Sequence, residues 1–429
     1  MIPADTWNNR IKNITDAVVK KIPVVGSLVS FAIGQLWPTD KVDIWSLIKD
    51  QTKQLVDKSI LDKEMEERKH EIEGLEDTMR QYVEAANHER GGFMTSMLTQ
   101  LNIMHHKLTK SSNSFHLIPF TITIANIHLT LLRERFSHGR EIYSEDNTTV
   151  WQKDLTSRYQ DYHKFFLDIY PKWKTWRENQ ITTRWYTDKH GTTVPPFFYW
   201  TAHGEAEDTL TKSTINYSDD FNSVETTFQG VCQAIKERWI NDAIAVMAAD
   251  MSTTFKLHNY LPGRESEPAI VDPNLETIWM GPYSLATLGK ESKGVSATNI
   301  IDQPGEIKQI CVREYNSIDG IQFIYTDHSG NFVGNPKGGA PHYLDVDQNK
   351  YVTGMKMRFA NGVMCRIEVV FSDGSSSGML GNRANWSGTD VDALVGSNYK
   401  LDCGAFKSGS GPSGTAGIGV IKLRFKYNN

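Results

Sequence analysis

The side chains of this 429-residue chain that could do chemistry do not fall into a catalytic spacing. Neither HExxH nor a GxxxxGK[ST] loop occurs. Residues 408–414, Ser-Gly-Ser-Gly-Pro-Ser-Gly, read as a turn, because a nucleophile elbow needs a strand before it and a helix after it. The run 345–350, Asp-Val-Asp-Gln-Asn-Lys, resembles half a calcium loop. Lys350, however, stands where that loop needs glycine, and Lys356 stands where it needs a bidentate acid. Glu66 and Glu67 lie on a charged helix face, which suits solvation better than acid–base work. Cys232, Cys311, Cys365 and Cys403 are scattered without CxxC spacing, which indicates neither a zinc site nor a disulfide framework. His105 and His106 are adjacent on a helical pattern, so their rings point in different directions and suit a shared metal poorly. With His116 and His128 they form a set of imidazoles able to make the chain sensitive to pH. These four and Asn126 are the candidates for a pH-sensing or pore-lining role. No catalytic residue, metal or cofactor is expected.

Those histidines surround or occupy the stretch Ser114 to Phe136, SFHLIPFTITIANIHLTLLRERF, which the rest of the chain has to accommodate. From Phe115 to Leu132 there are 18 residues without Asp, Glu, Lys or Arg, and apolar side chains cover every side of a helical wheel. Such a helix must be surrounded by other helices or by lipid. Eighteen residues is the short end of what crosses a bilayer. Lipid would solvate Thr121, Thr123, Asn126, His128 and Thr130 poorly, so the folded chain is expected to bury this helix at the centre of a bundle. The sharper reading accepts that burial and adds that the helix is held for later membrane insertion. Leu101, Met104 and Leu108 on the preceding helix are insertion candidates, with Leu117, Ile118, Ile122, Ile124, Ile127, Leu129 and Leu131.

A hydrophobic content of 39% and a charged content of 23% describe a globular protein with ample core, and the length predicts two or three domains. A net charge of −5 without a Lys/Arg block argues against a nucleic-acid partner. Ile22 to Pro38 is uncharged and follows Lys20-Lys21, but it contains Pro23 and ends in Trp-Pro, so no clear signal peptide is read. The expectation is a protein soluble when made, released or secreted, that acts at a target-cell membrane.

Helical spacing is expected over 44–61, with Trp45, Ile48, Leu55, Val56 and Ile60 on one face, and over 62–89, with Met65, Ile72, Met79 and Ala86. Three heptads suit an outer bundle helix better than an independent coiled coil. Gly91-Gly92 is read as the break before a helix ending near Lys110, and a polar turn then leads to the central helix. Trp151, Leu155, Tyr159, Tyr162, Phe166, Ile169, Trp173 and Trp176 give the next helix an aromatic stripe, read as core packing. Residues 181–228 show no clear period. A last helix runs from Phe228 to His258 and stops at Leu261-Pro262-Gly263. Beyond it the composition changes: 22 of the 32 glycines fall in 281–429, and short alternating runs are separated by turns. This segment holds 15 Lys/Arg against 13 Asp/Glu, leaving 31 against 38 for the rest.

Two patterns resemble known families. LIPFTITIANIHLTLLRERFSHG (117–139) resembles the central-helix block of insecticidal delta-endotoxins, through Ala125, Asn126, His128, Leu129, Leu131, Leu132, Arg133 and Gly139. Gly26, Trp37-Pro38, Trp45 and Ile60 before it, and Asp250-Met251-Ser252 and Leu261-Pro262 after it, follow the family's order. GEIKQICVREYNSIDGIQFIY (305–325) is similar to the opening strands of jacalin-related lectins, through Ile307, Ile310, Val312, Arg313, Ile318, Asp319, Ile321 and Tyr325. That resemblance implies a β-prism of three small antiparallel sheets. Jacalin-type lectins hold sugar with a C-terminal Gly-x-x-x-Asp loop. Ala416 takes the aspartate position here, so a standard mannose or galactose site is not implied. A bundle followed by one prism resembles the larger, PirB-like component of binary insect-related toxins, which implies a small second toxin subunit.

The expected fold is α + β multidomain. An all-α pore-forming bundle of about seven helices around the central apolar helix occupies 1–264. A linker follows at 265–280, and an all-β jacalin-like β-prism occupies 281–429. The resemblances imply a toxin whose prism binds a surface receptor or glycan, with Asn385, Trp386, Gly414, Thr415 and Gly417 as contact candidates. Its hairpin, 93–110 and 115–136, would enter the membrane and self-oligomerise there. A lectin-like adhesin with the bundle as scaffold is the alternative, and no constellation supports an enzyme.

Overall fold

The computed structural model describes residues 7–19, 24–37, 55–191, 198–220, 225–290, 298–381, 386–410 and 416–428. The helix expected over 44–61 lies mostly outside these, as do Trp45, Asn385, Gly414 and Thr415. Seven α-helices stand among the described residues: α1 (Trp7–Val19), α2 (Ser27–Leu36), α3 (Lys58–Glu84), α4 (Asn87–Thr109), α5 (Ile118–Tyr143), α6 (Thr148–Asn179) and α7 (Glu225–Met251). The Asp57 carboxylate caps α3 by accepting from the Ser59 backbone N–H at 2.8 Å. Leu61, Met65, Ile72, Leu75, Met79 and Tyr82 form the buried line of α3, which packs on α2 and α4 as an outer bundle helix.

The break between α3 and α4 falls at Ala85-Ala86, both extended, and not at Gly91-Gly92. The two glycines lie in the opening turns of α4. A Cβ on Gly91 would stand 3.1 Å from the Ile142 carbonyl oxygen, so glycine there permits close approach to the end of α5. After Thr109 a turn and a short 3-10 helix, Ser114–Leu117, lead into α5, where Pro119 takes the first helical turn. Every residue from Ile118 to Glu134 is buried. The stripe on α6 is core: Trp151, Leu155, Tyr159, Tyr162, Phe166, Ile169 and Trp173 are buried, and the Trp173 indole donates to the Leu55 carbonyl at 2.7 Å.

Two compact units result, Ile2–Trp176 with Met247–Asp272, and Arg177–Val246 with Pro273–Asn428. The chain passes from one unit to the other at Asp272–Pro273. Residues 177–246 group with the C-terminal strands. The segment 181–228, without a readable period, folds as an antiparallel sheet of β1 (Ile181–Gly191), β2 (Phe198–Asp208) and β3 (Ser213–Asp220), followed by α7. Its core is built of Ala202, Ala206, Tyr217, Val231, Ile235 and Ala286. Small residues on the packed face and polar ones on the other hide the alternation. Arg177 and Asp208, both buried, form a bidentate pair at 3.0 and 2.6 Å that ties the approach to β1 to the end of β2. The last helix begins at Glu225, earlier than expected, and passes at Met251 into a 3-10 helix, Ser252–Tyr260.

The remaining strands are β4 (Thr277–Tyr283), β5 (Ile300–Ile301), β6 (Ile307–Glu314), β7 (Ile318–Tyr325), β8 (Val333–Gly334), β9 (Ala340–Asp345), β10 (Val352–Ala360), β11 (Val363–Phe371), β12 (Leu380–Gly381), β13 (Thr389–Leu394), β14 (Tyr399–Ser410) and β15 (Ala416–Tyr427). They form three four-stranded antiparallel sheets, ordered β12-β11-β10-β13, β4-β15-β14-β5 and β8-β7-β6-β9. Asn361 and Gly362 both have positive φ, at 51° and 82°, and close the β10–β11 hairpin. The sheets share one core, in which Phe323 of β7 meets Phe406 of β14 edge to face at 5.4 Å.

Candidate functional site

The bundle unit is organised to bury α5. Leu101, Met104, Leu108, Leu117, Ile118, Ile122, Ile124, Ile127, Leu129 and Leu131 are all buried, so the structure gathers the ten insertion candidates into one α4–α5 hairpin core. Ser114–Tyr143 is the one helical stretch among the described residues long and apolar enough to cross a membrane, and 94% of its most apolar window is buried. Ile103, which the sequence pattern did not single out, is exposed on α4.

The polar groups on α5 find partners inside the bundle. The Asn126 amide donates to the Ile122 carbonyl at 2.9 Å. Its oxygen accepts from the Thr15 hydroxyl of α1 at 3.1 Å and from the Tyr260 hydroxyl at 3.0 Å. Asn126 is therefore a junction of three elements in the closed bundle. Thr121 and Thr123 turn back to the carbonyls of Leu117 and Pro119. Arg133 donates to the Tyr260 carbonyl at 3.2 Å and pairs with Glu265 at 2.6 Å.

The histidines divide. His106 is exposed, whereas His105, His116 and His128 are buried. Burial, reinforced by the Arg158 guanidinium, pushes His105 down to about 3. Burial likewise holds His116 below the ordinary imidazole range, and His128, near Arg158 and His105, well below it. His105 Nδ1 accepts from Arg158 at 2.8 Å, and His116 Nδ1 accepts from the Asp57 backbone N–H at 3.1 Å. In the closed bundle these three rings are neutral at physiological pH.

Glu134 escaped the sequence reading because a lone acid next to Arg133 and Arg135 looks like a solvated helix end. It is buried, accepts from the Gly26 backbone N–H at the start of α2, and accepts from the Tyr82 hydroxyl of α3 at 3.2 Å. Burial raises its pKa above the ordinary carboxyl value, against the opposing effect of the Gly26 hydrogen bond.

In the three-sheet unit, Trp386 is half-buried in the segment before β13. Gly417 pairs with Gly409 across β14 and β15, where a Cβ would stand 3.0 Å from the Ile318 carbonyl oxygen. Gly417 therefore has a packing role. Among the described residues no group of His, Cys, Asp and Glu has the arrangement of a metal site. The four cysteines are free and buried.

This architecture, a buried apolar helix packed among other helices, resembles that of a delta-endotoxin helical domain. Residues 16–180 match the delta endotoxin, N-terminal domain family, and the chain has a Cry-like layout of N-terminal helices followed by sheets. The pesticidal crystal protein Cry19Ba of Bacillus thuringiensis subsp. higo is 24% identical over 169 residues, which are 35% of this chain and 25% of that protein. Cry1Id of Bacillus thuringiensis is 26% identical over 159 residues, 34% of this chain and 22% of that one. The matched segment thus spans about a quarter or less of these relatives' length. The crystal structure of PirB superposes with a TM-score of 0.61 at 13% identity, covering 98% of this chain and 94% of that one. The Bacillus thuringiensis insecticidal crystal protein Cry7Ca1 gives 0.53 at 13% identity, covering 97% of this chain and 75% of that one. These likenesses are of fold.

Proposed function

We propose that the chain is a pore-forming toxin of the insecticidal type, released in soluble form, that acts at a target-cell membrane. The observation that carries this reading is the α4–α5 hairpin, whose second helix is of membrane length and is stored inside a bundle. Moving it from the bundle to lipid keeps its apolar side chains out of water in both states, so the cost of opening falls mainly on the polar junctions at Asn126, Arg133 and Glu134. Once inserted, the polar side of the hairpin would face neighbouring helices or a lumen, and several copies are needed to enclose one. The three-sheet unit supplies receptor or glycan binding, with Asn385, Trp386, Gly414 and Thr415 as first candidates. A small second subunit is a further proposed partner, on the PirB-like layout. No catalytic role is proposed.

The test is dye release from liposomes at pH 5–10, with and without target-gut membrane extract. A disulfide engineered across α3 and α4, beside the 2.6 Å hydrogen bond from Gln100 to the Glu71 carbonyl, locks the hairpin to its neighbour. The native cysteines all lie beyond residue 231, so the lock is the only bridge possible in the bundle helices α1–α6. Leakage should vanish in the locked protein and return with reductant. Leakage that persists in the locked protein would overturn hairpin insertion. Binding to membranes or glycans without leakage, even with a candidate partner added, would favour an adhesin.

A further inference from the structure

The sheet of β1, β2 and β3 has one long edge that the fold leaves uncovered. β1 is outermost in the order β1-β2-β3, and of its eleven residues only Ile181 is buried. In backbone–backbone hydrogen bonds, residues 182–188 pair with β2 and with no other described element. Alternate residues of a strand point their N–H and C=O groups to opposite sides, so the side away from β2 is a template for another strand. Its register with β2 runs from Ile181 opposite Asp208 to Gly191 opposite Phe198 without a bulge, and it contains no proline. The other sheet edges among the described residues are shorter and mostly blunted. β5, β8 and β12 have two residues each, and β4 and β9 contain Pro282 and Pro341. β13 sets Asp390 and Asp392 on one face, and β3 ends in Asp219-Asp220.

We propose that β1 is a self-association strand, which pairs antiparallel with β1 of a second copy of this chain to give a continuous six-stranded sheet. The strand's charge pattern selects this partner. Arg184, Tyr186 and Asp188 share the face opposite to the Ala202 and Ala206 side that packs into the core. An antiparallel pairing that overlaps all eleven residues sets Ile181 opposite Gly191 and therefore Tyr186 opposite Tyr186 of the second copy. The same register sets Arg184 opposite Asp188 of the second copy, twice, by the two-fold symmetry. Directly opposed residues carry their Cβ atoms about 4.5–5.5 Å apart, where opposite charges attract and like charges repel. A two-fold centred on residue 184 or 188 would instead oppose like charges. Arg184 is 68% exposed, with Nε and Nη2 at 3.0 and 2.7 Å from Glu205 Oε2. Asp188 is 54% exposed, with Oδ2 at 3.2 Å from His203 Nε2. A guanidinium has five N–H donors and a carboxylate two oxygens, so these contacts and the new pair are compatible. On the other face the register sets Trp185 against Thr187 of the second copy, an aromatic against a β-branched side chain. The contact is isologous and closes at two chains, so it does not grow into a fibre. It needs no membrane and stands whether or not the chain forms pores.

The experiment is sedimentation velocity of the full chain without lipid, over rising protein concentration and at low and high salt. Dimers that form with concentration and weaken with salt are expected, because the charge pairs are exposed. Arg184→Glu and Asp188→Lys should each weaken self-association at least about tenfold, since each opposes like charges at both ends of the two-fold. In an equimolar mixture of the two variants every new charge faces an opposite one, so association should return. Misfolding cannot produce that recovery, and circular dichroism checks each variant alone. As a second readout, Tyr186→Cys should oxidise to a disulfide-linked dimer, because opposed Cα atoms lie about 4.5–5.5 Å apart, within disulfide reach. Thr182→Cys, opposite His190 of the second copy, should not. A chain monomeric at every concentration, a dimer indifferent to both charge variants, or a mixture that fails to recover would overturn the proposal.

Discussion

At the scale of single residues, the closed bundle depends on a few buried polar atoms along an otherwise apolar helix. Asn126 accepts from Thr15 and Tyr260, so Asn126→Leu strips the buried Tyr260 hydroxyl of its acceptor and leaves Thr15 only the Ile11 carbonyl, while nearly conserving volume. It should cost about 1–3 kcal/mol, read as a lower urea midpoint with an unchanged slope. Glu134 and the buried histidines work in opposite directions with pH. The raised Glu134 pKa means that its contribution to stability is complete below 4.5 and is lost as pH rises through the folded value. The depressed histidine values mean that the closed bundle loses stability as pH falls below 6.5, where an opened chain takes up protons that the folded one refuses. Glu134→Gln should flatten the decline above pH 4.5, and Gln at His105, His116 and His128 should flatten the acid limb, both measured by denaturation across pH. Unchanged pH profiles in both variants would remove these groups as the cause.

At the scale of elements, the α5–α6 turn is set by one close approach. A Cβ on Gly139 would fall 2.1 Å from the Trp151 ring, closer than any packed carbon pair. Gly139→Ala should therefore destabilise by about 1–3 kcal/mol through overpacking, and Trp151→Leu in the same chain should return part of that loss. A thermal-melt double-mutant cycle without coupling would show that the two residues do not meet. The same logic places Gly91 inside α4, where absence of a side chain serves helix contact. In the second unit the Arg177–Asp208 pair closes the β1–β2 sheet. Asp208→Asn leaves a buried guanidinium without its counter-charge and should cost about 3–5 kcal/mol. Calorimetry that finds no loss would show that the pair is dispensable.

At the scale of the molecule, the proposed division of labour separates binding from insertion. A protein locked between α3 and α4 should bind target membranes as the wild type does, yet release no dye until reduced. Co-sedimentation and leakage, measured on one preparation, test both halves. Loss of both on locking would show that the hairpin also carries the binding surface. The delta-endotoxin-type layout rests on residues 16–180 and on fold likeness along the chain, whereas the partner and the receptor rest on this proposal.

The sequence by itself determined the elements with strong periods. The charge-free Phe115–Leu132 run required a buried or lipid-facing helix, the aromatic stripe of α6 required core, and the alternating, glycine-rich C-terminal third required short antiparallel strands. These are local signals, and local signals survive in one dimension. The β1–β3 sheet did not, because Ala202, Gly204 and Ala206 form its packed centre and carry too little apolar bulk to register as alternation. Asn126 and the histidines were legible as polar residues in an apolar run, but their partners were not. Thr15 and Tyr260 lie 111 and 134 residues away from Asn126. The partners of Glu134 were invisible for the same reason. Whether a charge on a helix is solvated, paired or orphaned depends on which helices pack beside it, and only the tertiary structure decides that.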